Sequence, residues 1–204
     1  MKIDKQMRVI IDKRKNQEDW QDDDATQEYW DKAIEILTID LDTTINYLKT
    51  ISEDDVIWVA EVWDDLMEFY HSKELLDVFE ECAIKYPLSK IDIDFMYAKY
   101  EYLDFKLNKH YENLKKKGME PGEDKEYLDN LKELLSLDVR LTILYLGKNS
   151  KEKILISSLI WPDVIKKLKS LKVLDKMKSL INEYPEIGEI LKTRYEEAKK
   201  VLEK

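Results

Sequence analysis

Apolar and polar residues alternate along most of the chain with the period of an α-helix. The stretch over 52–70, SEDDVIWVAEVWDDLMEFY, shows the pattern best. Its apolar residues recur every three or four positions, at Val56, Val59, Ala60, Trp63, Leu66 and Tyr70. This spacing places them on one face of a helix. The pattern predicts a single helix over 52–70 and, with similar segments before and after it, an all-α fold.

The residues at the ends of these segments are typical of helix ends. Asp40, Ser52 and Ser72 each precede an apolar-periodic stretch. In an N-cap, such a side-chain oxygen accepts a backbone N–H that the first helical turn leaves free. Pro87 closes the fourth segment, because proline cannot continue a helix. A fifth and longer helix is predicted over 93–117.

The chain also repeats itself at a constant offset of 98 residues. EYWDKAIEIL at 28–37 recurs as EYLDNLKELL at 126–135, and the same offset holds as far as Tyr97 and Tyr195. It pairs two of the five tryptophans, Trp63 and Trp161. We interpret this as a tandem duplication of a roughly five-helix repeat, packed like a short solenoid. The predicted division is a charged N-terminal segment (1–24), copy 1 (25–113), a linker (114–123) and copy 2 (124–204).

The residues shared by the two copies are interpreted as scaffold. The helix-end residues Asp40, Ser52, Ser72 and Pro87 each have a counterpart of the same type 98 positions later, which we interpret as a helix-end residue too. The apolar and aromatic residues that recur are expected to form the core. The capping set recurs as Asp138, Ser150, Ser170 and Pro185, and the core pairs are Tyr47/Tyr145, Leu48/Leu146, Trp63/Trp161, Leu76/Leu174 and Tyr86/Tyr184.

The amino-acid composition limits the classes of protein to which the chain can belong. The single cysteine, Cys82, excludes an internal disulfide and fits a reducing compartment, and we expect it to be a small buried residue. The longest apolar run, ILISSLIW at 154–161, is too short to cross a bilayer, and the charged N-terminus lacks the apolar stretch of a secretory signal. We therefore expect a soluble, cytoplasmic protein.

Charge is distributed very unevenly. Residues 17–104 carry 25 acidic and 6 basic side chains, a net charge of −19. Residues 105–204 carry 17 acidic and 22 basic side chains, a net of +5, and the first 16 residues carry a net of +4. The overall charge of −10 thus hides a polarised molecule.

The acidic residues of the third predicted helix form the candidate binding site. On a continuous helix they would lie along one side with an aromatic anchor, Trp58, among them. In copy 2, Glu61 is replaced by Leu159 and Glu68 by Lys166, so the fold does not require the acidic set. The stripe is either a solvated face or a docking surface for a basic protein. The predicted partner-binding residues are Asp54, Asp55, Trp58, Glu61, Asp64, Asp65 and Glu68.

Residue patterns that would support catalysis are scarce. Neither histidine lies near Cys82 in the sequence, and the Glu68-x-x-His71 spacing of a di-iron site lacks its second copy. No glycine-rich phosphate loop is present, and the acidity of the first half disfavours nucleic-acid binding. We therefore expect no catalytic residues, no metal and no cofactor.

The order of capped helix, Trp-x-Asp, second capped helix and Tyr-Pro over 52–87, echoed over 150–185, resembles helical-repeat immunity proteins of bacterial polymorphic-toxin and contact-dependent inhibition systems. The resemblance implies a one-to-one inhibitor that covers the substrate cleft of a cognate toxin, such as a basic nuclease. Two alternatives stay open, namely a helical-repeat adaptor or scaffold and a nucleic-acid-mimicking inhibitor.

Overall fold

A computed structural model describes residues 3–17 and 23–203. Within these ranges all regular structure is helical, with thirteen α-helices and two short 3₁₀ turns, so the all-α prediction is confirmed. The chain forms two compact units, unit 1 up to Phe105 and unit 2 from Lys106. In the described part of the chain, no helix combines the length and the apolar character needed to span a membrane.

Unit 1 is built from six helices and the first part of a seventh. Helix α2 packs against α1 and α5, and α6 packs against α3 and α5. The ring of Trp63 stacks on Phe79 at 4.5 Å in the centre of the core. The helices are α1 (Ile3–Lys15), α2 (Asp23–Leu37), α3 (Leu41–Lys49), α4 (Glu53–Ala60), α5 (Trp63–Tyr70), α6 (Lys73–Lys85) and α7 (Ser89–Lys116), of which α7 continues into unit 2.

Helix α1 lies within the predicted N-terminal segment (1–24), which was characterised above by its charge alone. Its residues Met7, Ile11 and Arg14 are buried and share one face, because they are four and three residues apart. The charged face of α1 carries basic side chains toward the acidic helices of unit 1. Helix α1 is therefore part of the packing of unit 1.

The prediction of one continuous helix over 52–70 was wrong. Helix α4 ends at Ala60 and α5 begins at Trp63, with Val62 at φ −121° and ψ 16°, outside the helical region. Neither Glu61 nor Val62 is a helix breaker by type. The break follows from packing, since Val62 and Trp63 are both fully buried, and tertiary packing overrides local propensity.

Unit 2 is built from the rest of α7 and six further α-helices. Helix α13 packs against α10, α11 and α12, while α8 packs against α9 and α11. Its largest fully buried side chains are Trp161, Tyr127 and Tyr145. The helices are α8 (Lys125–Leu135), α9 (Val139–Lys148), α10 (Lys151–Ser158), α11 (Trp161–Leu168), α12 (Leu171–Glu183) and α13 (Gly188–Leu202), with 3₁₀ turns at Pro121–Glu123 and Pro185–Ile187.

Most predicted helix ends are confirmed. Asp40 accepts a hydrogen bond from the backbone N–H of Thr43 at 2.7 Å, and the same kind of bond is made by Asp138, Ser72, Ser150 and Ser170. Helices α6 and α12 end just before Pro87 and Pro185. Ser52 is the exception: it lies at the N-cap of α4, but its side chain makes no capping bond and hydrogen-bonds the Asp55 carboxylate instead.

The predicted core is also confirmed in most positions. Both tryptophans of the Trp63/Trp161 pair are fully buried, and nearly every other predicted core residue is buried. Tyr184 is the exception, since it is only half-buried. Cys82 is a buried free cysteine, as expected, and burial raises the pKa of its thiol to about 11.

Candidate functional site

The seven predicted partner-binding residues do not form one stripe. Asp54, Asp55 and Trp58 belong to α4, whereas Asp64, Asp65 and Glu68 belong to α5, and Glu61 lies at the break between the two helices. These two groups have different surroundings. The α4 group meets basic residues of α1, whereas the α5 group borders a groove against α2.

One of the two predicted carboxylates of α4 is neutralised within the protein. Asp55 forms a 2.7 Å ion pair with Lys15, while Asp54 is exposed. Burial acts to raise the pKa of Asp55, but hydrogen bonds from Lys15 and Ser52 outweigh it, and the pKa lies below its usual range. Asp55 therefore helps hold α1 against α4.

Trp58 is half-buried and packs against the core, so it is not a freely exposed anchor. Its ring lies 5.9 Å from the guanidinium carbon of Arg14 and 5.6 Å from the ammonium of Lys90. Both distances are in the range of cation–π contacts. The indole is thus flanked by the protein's own cations.

Glu61 is a structural carboxylate whose side chain is only 9% exposed. It accepts hydrogen bonds from the Trp30 indole N–H at 3.0 Å and from the Lys90 ammonium, and its Oε2 lies 3.7 Å from Nε of Arg14. A buried charge requires this degree of pairing. Glu61 therefore ties together α1, α2 and α7 around the end of α4.

A groove of about 310 Å³ runs between α2 and α5, and we call it the acidic groove. Trp30 and Ile34 give it apolar walls, and three carboxylates and the amide of Gln27 line the remainder. The lining residues are Gln27, Trp30, Ile34, Glu61, Asp64 and Asp65.

The α5 carboxylates at this groove lack basic partners. No described lysine or arginine forms an ion pair with Asp64, Asp65 or Glu68. Burial and the neighbouring carboxylate of Glu68 raise the pKa of Asp64. Partial burial, together with repulsion by Asp64, Glu68 and Asp31, raises the pKa of Asp65 to about 6. The groove therefore concentrates negative charge.

A further carboxylate, Asp94 of α7, belongs to the same electrostatic cluster. One of its oxygens is buried without a hydrogen-bond partner among the described residues. Burial raises the pKa of Asp94 to about 7, and repulsion by Glu61 and Asp64 adds to the effect, while Lys90 opposes it. Sequence reasoning missed Asp94 because it lies 26 positions beyond Glu68, on a different helix.

Unit 2 has a groove between α8 and α11 that corresponds to the acidic groove, and its chemistry is different. It is lined by Asp129, Lys132, Glu133, Ser136, Asp163, Lys166 and Lys167. At the offset of 98 residues, most of the acidic and aromatic residues at and around the acidic groove are replaced, although Asp65 is retained as Asp163. Trp30 corresponds to Leu128, Glu61 to Leu159, Asp64 to Pro162, Glu68 to Lys166 and Asp94 to Lys192.

Comparing residues 98 positions apart could have identified Trp30 as a candidate site residue from the sequence. Trp30 and Glu61, which hydrogen-bond each other, both correspond to leucines in the second half, so two partners changed together. The contribution of Arg14 had no such signal, because the sequence repeat begins after α1, so Arg14 has no recurring partner to compare.

The described residues contain no group of three or more histidine, cysteine, aspartate or glutamate side chains arranged to hold a metal ion. In the Glu68-x-x-His71 pair, the imidazole of His71 stacks on the Phe105 ring at 3.7 Å. Comparison with known protein families, curated proteins and solved structures finds no match. The arrangement at the acidic groove favours binding of a cationic group.

Proposed function

We propose that this chain is an immunity-type inhibitor that acts in the cytoplasm by binding a basic toxin domain through the acidic groove and occluding its substrate cleft. One observation carries the proposal. Unit 1 keeps unpaired carboxylates around a groove between two packed helices, whereas the corresponding groove of unit 2 carries lysines on a similar helical framework.

The carboxylates are costly to keep in the free protein. The raised pKa values of Asp64, Asp65 and Asp94 mean that burial and mutual repulsion disfavour their charged forms. A basic partner would relieve that repulsion on binding. Negative charge on one face also increases the rate at which a positively charged protein associates.

We also infer that the two halves arose by duplication, and the helix bounds support this. Helices α4, α5 and α6 recur as α10, α11 and α12 with every boundary displaced by 98 residues. The threonine hydroxyls of Thr44 and Thr142 each donate a 2.6 Å hydrogen bond to a carbonyl seven residues earlier. Solenoid-like stacking of the copies stays a prediction. Duplication explains how one copy could diverge toward binding while the other kept the framework.

The first test is co-expression with the open reading frame immediately upstream of the gene for this chain. If that neighbour encodes a toxin, we expect growth arrest without the chain, rescue with it, and co-purification of the two proteins. A harmless neighbour, or one that kills regardless, would contradict the immunity proposal and favour an adaptor.

The second test places the interaction on unit 1. The double variant Asp64→Asn/Asp65→Asn should associate with the toxin more slowly and with a weaker dependence on salt, because steering depends on charge. The matched control Asp129→Asn/Asp163→Asn removes two carboxylates from the unit 2 groove and should associate at the normal rate. Equal slowing in both variants would show that only net charge matters.

A further inference from the structure

We propose that the acidic groove is a socket for one arginine side chain of the partner. The inference rests on the proposed function for the source of the arginine. The socket itself is defined by the groove's walls and charges, and these can be tested without the partner.

The groove offers the two surfaces that an arginine side chain needs. Ile34 and Trp30 supply an apolar wall beside which the methylene stem can pack. Asp64 and Asp65 supply carboxylate oxygens, which match the hydrogen-bonding geometry of a guanidinium group. The Gln27 amide nitrogen donates to Asp31 at 2.8 Å, so its carbonyl oxygen is the atom left to accept a further hydrogen bond.

The indole of Trp30 is held in place before any ligand binds. Its N–H donates to the nearly buried carboxylate of Glu61, which in turn is paired with Lys90. Because the ring is fixed, less side-chain entropy would be lost when a cation packs against it. A planar guanidinium also stacks on an aromatic ring better than an ammonium does, and it is more weakly hydrated.

Unit 1 already holds one of its own arginines in this way. The guanidinium carbon of Arg14 lies 5.9 Å from the ring centres of both Trp58 and Tyr29, with Nε 3.7 Å from Glu61. Its Nη1 donates to Gln17 at 2.7 Å. An aromatic ring, a carboxylate and a glutamine carbonyl therefore enclose Arg14.

The acidic groove presents the same three kinds of group, in Trp30, Asp64 with Asp65, and Gln27, and no cation of the described residues forms an ion pair with its aspartates. Charge complementarity thus selects a basic side chain, and the indole selects arginine over lysine.

The test is a titration of the full ¹⁵N-labelled chain with N-acetyl-arginine amide, monitored through the indole N–H signals of the five tryptophans. The Trp30 signal is assigned with Trp30→Phe. We expect that signal to shift and saturate with the arginine probe, to respond more weakly to N-acetyl-lysine amide, and to stay unchanged with N-acetyl-citrulline amide, the neutral analogue of similar shape.

Variants locate the binding. Asp64→Asn/Asp65→Asn should weaken binding of the arginine probe by about fivefold or more, the size expected for losing partly exposed charge pairs. Asp129→Asn/Asp163→Asn should leave it unchanged. Both aspartates of the first variant lie in the first turn of α5, and the fold of the variant is checked by the unchanged signals of the other tryptophans.

Two outcomes would overturn the socket: equal shifts with citrulline and arginine, or equal binding by the Asp64→Asn/Asp65→Asn variant. If only the proposed function is wrong, the arginine probe still binds in the groove, but co-expression gives no rescue from the neighbouring protein.

Discussion

Replacing Asp94 by asparagine should stabilise the protein at high pH, which is the reverse of the usual effect of removing a half-buried polar contact. The pKa of Asp94 is raised from 3.8 to about 7 by burial, with repulsion from Glu61 and Asp64 adding to it and Lys90 opposing it. A pKa difference of this size corresponds to about 4 kcal/mol at most. Asp94 is only half-buried, so solvent screening reduces the expected effect to about 1–2 kcal/mol.

The direction of the pH dependence follows from proton binding. The folded protein holds the Asp94 proton more tightly than the unfolded chain does, so deprotonation costs folding free energy. That cost is absent below the unfolded pKa of 3.8, grows as the pH rises toward about 7, and is fully present above it. Asparagine resembles the protonated carboxyl, so Asp94→Asn removes the cost only at pH values where the carboxyl of the unfolded chain is charged.

The assay is urea unfolding at pH 8 and at pH 4.5. Asp94→Asn should gain about 1–2 kcal/mol at pH 8 and much less at pH 4.5. The control is Asp92→Asn, which removes an exposed carboxylate two residues earlier on the same helix and should change stability by less than about 0.5 kcal/mol. A gain that is equal at the two pH values, or equal in the control, would refute the reasoning.

Two further predictions use pairs of corresponding residues. Tyr86→Phe removes a buried 2.7 Å hydrogen bond and should lower the free energy of unfolding by about 1 kcal/mol in urea. Tyr184→Phe removes a longer 3.4 Å bond at a half-exposed site and should lower it by less than half of that amount. Equal losses in the two variants would contradict the argument. Lys169→Gly should raise thermal stability by about 0.5–1 kcal/mol, because the lysine ends its helix at φ 47°, which glycine adopts without strain. His71→Gly should gain less, since His71 at φ 49° also stacks on an aromatic ring, and a larger gain there would contradict that assignment.

Much of the fold was predictable because helix ends and cores leave local signals. Asp40 and Ser72 cap their helices by hydrogen-bonding backbone N–H groups three residues ahead, so the signal and its partner are close in sequence. Pro87 acts through its own missing N–H and its ring. The recurring tryptophans were predictable as core because large aromatic residues at helical spacing bury the most area.

The break between α4 and α5 was not predicted, although the second half carries a signal for it. Pro162 lies in the first turn of α11, where a missing N–H costs nothing, and this is a position that proline favours. The first half has Asp64 at the corresponding position, and an aspartate is a less specific mark of a helix start than a proline, because it also occurs within helices. Transferring the helix start marked by Pro162 to the first half, at the offset of 98 residues, would have divided the predicted helix at the right place.

The negative charge of the candidate site was predicted from the sequence, but the arrangement of its residues was not. An excess of acidic residues can be counted from the sequence, but which of them are neutralised depends on residues that are distant along the chain. Lys15 reaches Asp55 across 40 positions, and Lys90 reaches Glu61 across 29. These pairings remove two of the six predicted binding carboxylates from the unpaired set and leave the exposed Asp54 of α4 and the three of α5.

The unpaired carboxylates and the pairing of Glu61 favour a binding role over a solubilising one. A solvated acidic face gains nothing from carboxylates whose pKa values are raised by burial, since exposed ones confer the same solubility without that cost. Asp64 at the acidic groove and Asp94, its electrostatic neighbour on α7, carry such a cost, while Glu61 holds the indole of Trp30 in place. When a cation enters the groove beside the fixed Trp30 ring, the repulsion between the like-charged carboxylates decreases. The free protein is therefore less stable than it would be with the groove occupied by a basic side chain.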